Sequence, residues 1–177
     1  MDVMPPVKLF AAILYREETA LSEALMRLTK AFGEIDYRSS PYPFDVTDYY
    51  KAEMGEPLFR VLVSFAPLSQ AETLPEAKWN SIDIENNCKG TLTGCTVNID
   101  IGYLDYDKVV LASTKKGAYK IAMQRNIWAD MILHFEKGTF VPFSWSFADF
   151  KDNRYEKALL RIREMYKKAR HLIDSGR

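Results

Sequence analysis

The segment VKLFAAILY, Val7–Tyr15, is a near-continuous apolar run of nine residues. A run of this length is too short to cross a bilayer, which takes about 20 apolar residues. It is typical of a central strand that is buried on both faces. We therefore predict that the fold begins with an interior β-strand.

One helix and two strands are predicted after this first strand. Apolar side chains recur at helical spacing over residues 21–32, and Gly33 stands where that helix should end. Residues 34–40 alternate weakly in polarity, and residues 58–65 are rich in β-forming side chains. The aromatic residues and prolines of 41–50 indicate a loop or short turns between these two strands.

A second helix and a fourth strand come next. The sequence TLPE at 73–76 has the spacing of a capping box and a proline in the first turn, which predicts a helix start. Residues 96–101 alternate between apolar and polar side chains, as a strand with one buried face does. The resulting order of strand, helix, strand, strand, helix, strand resembles a ferredoxin-like split βαβ unit.

The following segments predict antiparallel hairpins. Residues 109–114 and 119–123 are separated by a Lys-Lys-Gly turn, which favours one hairpin. Residues 127–135 alternate strictly and lead through Glu-Lys-Gly to the apolar residues 139–143, which favours another.

The chain ends in a predicted amphipathic helix. Asn153 and Glu156 have the spacing of a capping box, and an apolar stripe runs from Tyr155 to Ile173. We predict one α+β domain over residues 1–177, with a mixed or mainly antiparallel sheet of ferredoxin-like N-terminal order and added hairpins. The helices are expected mainly on one face, and the long C-terminal helix is expected to close the domain.

The composition argues against a dedicated nucleic-acid-binding protein. Apolar residues make up 47% of the chain, which is enough for a hydrophobic core. The 24 Lys and Arg residues balance the 24 Asp and Glu residues, so the chain lacks the overall positive charge of such proteins. We expect neither nucleic acid nor a membrane as a partner, and the residues do not indicate an oligomeric state.

Cysteine and histidine content predicts no metal site. Cys88, Cys95, His134 and His171 lack the paired short spacings of structural zinc ligands. The N-terminal sequence MDVMPP lacks the basic start and apolar stretch of a signal peptide, so we expect a cytoplasmic protein with free thiols. No motif indicates a cofactor.

Two carboxylates in the aromatic loop are the first candidates for a ligand site. The sequence PFDVTDYY at 43–50 places Asp45 and Asp48 close together, where carboxylates can bind a hard cation or accept a proton. The alternative is that both residues stabilise turns through side-chain to backbone hydrogen bonds.

Further candidates lie on the predicted fourth strand, residues 96–101, and at the end of the next predicted strand, in residues 112–117. Asn98 and Asp100 alternate with apolar residues and so project from one face of the sheet. The alternatives are an exposed sheet face, or an Asp100 that holds a turn at Gly102. Residues 112–117 (ASTKKG), with Lys115, offer hydroxyl and ammonium groups that suit a phosphate, although many hairpin turns have the same composition.

Known nucleotide and catalytic motifs are not matched. Residues 90–96 (GTLTGCT) are one residue short of a P-loop and have Cys where its lysine must stand. Residues 114–117 (TKKG) have Gly where the guanine-binding turn of GTPases needs Asp. The four aromatics of residues 143–150 favour a core plug over a base-stacking site. Whether the protein is an enzyme stays open at this stage.

Four of these segments, in this order, resemble the prokaryotic family known as domain of unknown function 4416. They are residues 43–50, 98–104, 111–115 and 145–150. The chain departs from that family at Ile101, where a proline is usual, and in the last segment, which usually reads nearer to PWTYPDY. The resemblance implies a single-domain cytoplasmic protein of this length.

Two functions are consistent with these patterns. The first is binding of a phosphorylated or nucleotide-like small molecule by a site built from Asp45, Asp48, Arg60, Asn98, Asp100 and Lys115. The second is a non-catalytic interaction module with an aromatic surface. Convergence of the polar residues in one concave site favours the first, and their dispersal beside an exposed apolar patch favours the second.

Overall fold

The predicted first strand forms β1 (Val7–Tyr15) and lies in the interior of the protein. The computed structural model describes residues 4–88 and 97–176 of the 177-residue chain. All nine residues of β1 are buried, which confirms the prediction of a central strand covered on both faces.

The other elements follow in chain order. The helices are α1 (Glu18–Phe32), α2 (Lys51–Met54), α3 (Leu74–Asn87), α4 (Ala148–Lys151) and α5 (Glu156–Ser175). The remaining strands are β2 (Ile35–Arg38), β3 (Tyr42–Pro43), β4 (Phe59–Ser69), β5 (Val97–Leu104), β6 (Lys108–Ser113), β7 (Ile121–Ala122), β8 (Trp128–Glu136) and β9 (Thr139–Pro142). Within the described ranges, none of the helices combines the length and apolar character needed to cross a membrane.

The nine described strands form one antiparallel sheet in the order β2-β4-β1-β5-β6-β8-β7, with β3 on β4 and β9 on β8. The four strands β2-β4-β1-β5 have the order of a ferredoxin-like unit, and α1 and α3 are its two crossover helices. The predicted α+β fold with ferredoxin-like N-terminal order is therefore confirmed.

Helices cover both faces of the sheet. Leu9, Ala11 and Ile13 of β1 pack in one apolar cluster with α1 and α3, whereas Phe10 and Ala12 pack in a second cluster with α5. The expectation that helices lie mainly on one face is therefore wrong. A strand that is apolar on both faces needs an apolar layer on each side, and the stripe of α5 supplies the second layer.

The predicted hairpins are only partly correct. β8 and β9 form the expected hairpin, and Lys137 and Gly138 in its turn both have positive φ, as a type I′ turn requires. The expected pairing of residues 119–123 with β6 is wrong, because β6 is paired along its length with β8. The short strand β7 lies instead on the other edge of β8.

The apolar stripe of α5 predicts which substitutions destabilise the protein. Leu159 and Ile162 are buried against the sheet, whereas Leu172 on the same helix is 73% exposed. Leu159→Ala or Ile162→Ala should lower the free energy of unfolding by about 2–5 kcal/mol, because each leaves a cavity. Leu172→Ala should change it by less than about 0.5 kcal/mol. Urea denaturation measures all three, and equal stabilities would show that α5 is not docked.

Candidate functional site

The candidate site is a cavity of about 340 Å³ at the place where β5 and β6 separate. The two strands pair at three positions, from Gly102 opposite Leu111 to Leu104 opposite Val109. At Gly102 they approach so closely that a Cβ would lie 2.3 Å from the Val110 carbonyl oxygen, which explains a glycine inside the strand. Over the described residues before Gly102, β5 has no pairing with β6, and the gap between them opens toward the cavity.

The register of the sheet places three predicted residues on the face that carries α5. In an antiparallel pair, directly opposite residues project to the same face. Leu14 of β1 lies between Arg60 of β4 and Asn98 of β5, and each of the two is directly opposite it in the sheet. Asp100 of β5 lies directly opposite Ala12 of β1. Ala12 belongs to the apolar cluster beneath α5. Arg60, Asn98 and Asp100 therefore continue this sheet face as a polar surface.

Loops and helices complete the wall of the cavity. The aromatic side chains that line it are Phe44, Tyr49, Tyr50 and Phe147. The charged side chains that line it, besides Arg60 and Asp100, are Glu53, Lys78, Lys115, Lys120, Asp130 and Asp149. These residues come from the β3–α2 connection, α2, α3, the segment after β6, β8 and α4, so the cavity is assembled from most of the chain.

Arg60 is the centre of a buried ion-pair network. Its guanidinium donates to Asp149 Oδ2 (2.8 Å) and to Asp100 Oδ2 (3.1 Å). The Tyr155 hydroxyl also donates to Asp149 Oδ2 (2.9 Å), and the guanidinium lies 4.9 Å from the centre of the Phe44 ring. Burial lowers the pKa of Arg60, but the two carboxylates outweigh burial and leave that pKa raised. The arginine is therefore a fixed cation in the wall.

The backbone of Ile99 faces the gap beside β5, and α3 supplies its hydrogen-bond partners. The Ile99 N–H donates to Glu85 Oε1, and Lys78 Nζ donates to the Ile99 carbonyl oxygen (3.0 Å). Burial raises the pKa of Glu85, although the charge of Lys78 opposes that rise. Sequence reasoning missed both residues. Lys78 could have been identified from its position four residues after the buried Leu74, because residues with this spacing lie on the same face of a helix.

A second charged cluster holds the segment after β6. Lys120 Nζ donates to Ser113 Oγ (2.9 Å) and to the Lys115 carbonyl oxygen (3.3 Å), and lies 3.6 Å from Asp130 Oδ2. Ser113 Oγ in turn donates to the same carbonyl oxygen, so its proton is directed at the backbone and not at a base. Burial raises the pKa of Asp130, against the effect of Lys120. These hydrogen bonds fix the position of the segment after β6, and they do not activate Ser113 as a nucleophile.

The cavity brings together four of the six residues predicted from the sequence. They are Arg60, Asn98, Asp100 and Lys115. Lys115 lies at the exposed rim, where Nζ is 3.1 Å from the Tyr49 hydroxyl. Asp100 does not hold a turn at residue 102, because β5 continues to residue 104 and the carboxylate pairs with Arg60.

The other two predicted residues lie outside the cavity lining. Asp45 is 72% exposed and pairs with Arg154 (2.9 Å), and Asp48 is 83% exposed and pairs with Lys51 (2.6 Å). The cavity therefore does not bring these two residues together with the carboxylate on β5. The aromatic neighbour Phe44 is buried, so the loop directs its apolar side chain inward and these two carboxylates into solvent.

Unpartnered polar atoms are concentrated in the cavity wall. In the described part of the chain, five buried side-chain nitrogen or oxygen atoms have no hydrogen-bond partner. Three of the five, Arg60 Nε, Asn98 Oδ1 and Asp130 Oδ1, belong to residues that line the cavity. Unmet hydrogen-bonding capacity therefore distinguishes this region from the rest of the described protein.

Two sequence predictions fall on the segment between the described ranges. Cys88 is buried at the end of α3, and Cys95 lies outside the described residues, so the two predicted free thiols are not tested. The same holds for residues 90–96, which were compared with a P-loop. Among residues 4–88 and 97–176, no group of three or more His, Cys, Asp or Glu side chains is placed to hold a metal ion.

The comparison with protein families agrees with the resemblance found in the sequence. Residues 5–166 of the 177 match the family described as Domain of unknown function (DUF4416). The chain belongs to DUF4416. Every residue that lines the cavity falls within the matched range. Searches among curated proteins and among solved structures found no match to this DUF4416 chain.

The buried network predicts a large effect for Asp149→Asn in the DUF4416 protein. The change keeps the shape of the side chain but leaves Arg60 with one carboxylate, and breaking a buried ion pair costs about 3–5 kcal/mol. The matched substitution Asp45→Asn removes an exposed charge and should cost less than about 1 kcal/mol. Urea denaturation compares the two. Similar stabilities would contradict the structural importance of the network.

Tyr50 predicts a loss of stability at alkaline pH. Burial, reinforced by the negative charge of Asp100, raises the pKa of Tyr50 to about 12. A phenol whose pKa is raised on folding stabilises the folded state below its ordinary pKa of about 10 and loses that contribution as the pH rises toward 12. Tyr50→Phe should therefore weaken the decline in stability between these pH values. An alkaline absorbance titration should also show one fewer tyrosine ionising near pH 12, and an unchanged titration would refute the assignment.

Proposed function

We propose that the DUF4416 protein binds a phosphorylated or nucleotide-like small molecule in this cavity. The observation that supports this is the concentration of unpartnered buried atoms in the wall, namely Arg60 Nε, Asn98 Oδ1 and Asp130 Oδ1. A buried polar atom without a partner costs about 1–3 kcal/mol. The residues that carry these atoms line the cavity, so a ligand can supply the missing partners once their side chains turn toward it, and the two oxygen atoms then require hydroxyl or N–H groups on the ligand.

The size and lining of the cavity suit this ligand class. Its volume of about 340 Å³ lies at the lower end of small-molecule sites, which span about 300–1,000 Å³. Tyr49 and Phe147 in the wall are 66% and 47% exposed, and such rings pack well against a base or a sugar. Lys115 adds positive charge at the rim. A cytoplasmic location, which the sequence predicts, is part of the same proposal.

A non-catalytic interaction surface is the second candidate function. Tyr119 stacks on Trp145 and Trp145 stacks on Phe143, with ring centres 4.5 Å apart in both pairs. Tyr119 and the nearby Ile121 are 62% and 71% exposed, which favours contact with a partner. Trp145 stacks between its two neighbours, so Tyr119 is the ring of these three that stays mostly exposed to a partner. We therefore favour the cavity.

Thermal denaturation in the presence of defined probes tests the proposal. The probes are ribose 5-phosphate and adenosine 5′-monophosphate, with ribose and adenosine as unphosphorylated controls. A phosphorylated probe that binds the folded protein should raise the melting temperature. At about 100 times its dissociation constant, the probe should stabilise the protein by roughly 2.7 kcal/mol.

A matched pair of variants locates the binding. Ala148 is exposed at the wall of the cavity, and Ala31 is exposed on α1, on the other face of the sheet. Ala148→Trp should abolish the shift because the indole fills the entrance, and Ala31→Trp should leave it intact. The proposal fails when no phosphorylated probe stabilises the protein, or when Ala148→Trp binds as well as Ala31→Trp.

A further inference from the structure

Lys78 reaches the cavity from the opposite side of the sheet. It belongs to α3, which packs on the face away from α5. Its side chain ends at the gap between β5 and β6, where Nζ donates to the Ile99 carbonyl oxygen. The residue is 6% exposed and lines the cavity. An ammonium group is therefore held at the inner end of the site.

Among residues 4–88 and 97–176, the ammonium group of Lys78 has one hydrogen-bond acceptor. A lysine ammonium carries three N–H donors, and the bond to Ile99 uses one of them. Within the described ranges, no carboxylate oxygen lies within 4 Å of Lys78 Nζ. Glu85 is the acidic residue whose charge acts on Lys78, and its carboxylate already accepts from the Ile99 N–H. A buried cation without a close counter-ion is costly, and an anionic ligand removes that cost.

The other cations in the wall are already engaged or exposed. Arg60 is matched by two carboxylates. Lys120 contacts Asp130, Ser113 Oγ and the Lys115 carbonyl oxygen. Lys115 is exposed and lies over the Tyr49 ring. Among the cations that line the cavity, Lys78 therefore combines burial with N–H donors that no other described residue accepts, which is what binding of a phosphate requires.

We propose that Lys78 binds the phosphate group of a sugar phosphate and is the residue that makes the site select phosphorylated ligands. The hydroxyl groups of the sugar then face Asn98 and Asp130, which line the same cavity. The inference rests on the proposed function, because it names the ligand class and the anchoring residue of the same cavity. It also reverses the expectation from the sequence, which placed the phosphate at Lys115.

Binding titrations with three lysine variants test this assignment. The probes are ribose 5-phosphate, inorganic phosphate and ribose, each titrated calorimetrically into the full chain. Lys78→Met keeps the aliphatic stem and removes the charge, and it should weaken binding of both phosphate probes at least about tenfold. Lys78→Arg keeps the charge and should recover most of the affinity. The control Lys137→Met, in the exposed turn between β8 and β9, should change the affinity by less than about threefold.

Lys78→Gln keeps the test valid if Lys78→Met does not fold. Glutamine retains an N–H donor for the Ile99 carbonyl oxygen but carries no charge, so it should show the same loss of phosphate binding. Thermal melting verifies the fold of each variant.

The outcomes separate this inference from the proposed function. If Ala148→Trp abolishes binding of ribose 5-phosphate while the neutral Lys78 variants bind it like the wild type, the cavity is the site and Lys78 is not its anchor. If ribose binds as tightly as ribose 5-phosphate, the cavity binds a small molecule but does not select phosphate. If no probe binds, both proposals fail.

Discussion

Burial of β1 on both faces is the constraint on which the rest of the structure depends. Its nine residues are all buried, and even Lys8 is only 1% exposed. The Lys8 ammonium is accommodated by Asp36 (2.6 Å) and by the Phe65 carbonyl oxygen (2.8 Å). Since apolar residues alternate between the two faces of a strand, α1 and α3 must cover one face and α5 the other. The helix that closes the chain is thus as necessary to the core as the ferredoxin-like unit that opens it.

The cavity occupies the part of the sheet where this apolar covering ends. Beneath α5 the sheet face is lined by Phe10 and Ala12, and toward the cavity the same face continues as Arg60, Asn98 and Asp100. Burying an arginine between carboxylates is an inefficient way to stabilise a fold, because desolvation offsets most of the attraction. A well-packed apolar surface of the same size would serve stability equally well. Stability alone therefore does not account for the polar wall.

The separation of β5 from β6 connects the two sides of the protein. Gly102 allows the two strands to meet. Beyond that contact, the backbone N–H and carbonyl oxygen of Ile99 form hydrogen bonds with side chains of α3. Through this gap Lys78, on a helix that packs on one face, lines a cavity that opens on the other. An interruption in the sheet ladder thus creates both the space and the inner charge of the site.

Periodicity along the chain determined the elements and much of their order. The buried strand β1, the helices α1 and α5, the ferredoxin-like order and the β8–β9 hairpin were predictable, because each depends on the spacing of apolar and turn residues over a few turns of chain. Strand alternation also selected Asn98 and Asp100 as candidate site residues, whereas Lys115 was selected from the composition of residues 112–117 and Arg60 from no periodic pattern. Only the tertiary structure decided that they share one cavity, that Asp45 and Asp48 face solvent, and that Lys78, Asp130 and Asp149 complete the wall. These outcomes depend on strand register and on contacts between residues far apart in the chain, 89 residues for Arg60 and Asp149 and 109 residues for Asp45 and Arg154. Such contacts leave no periodic signal in the sequence.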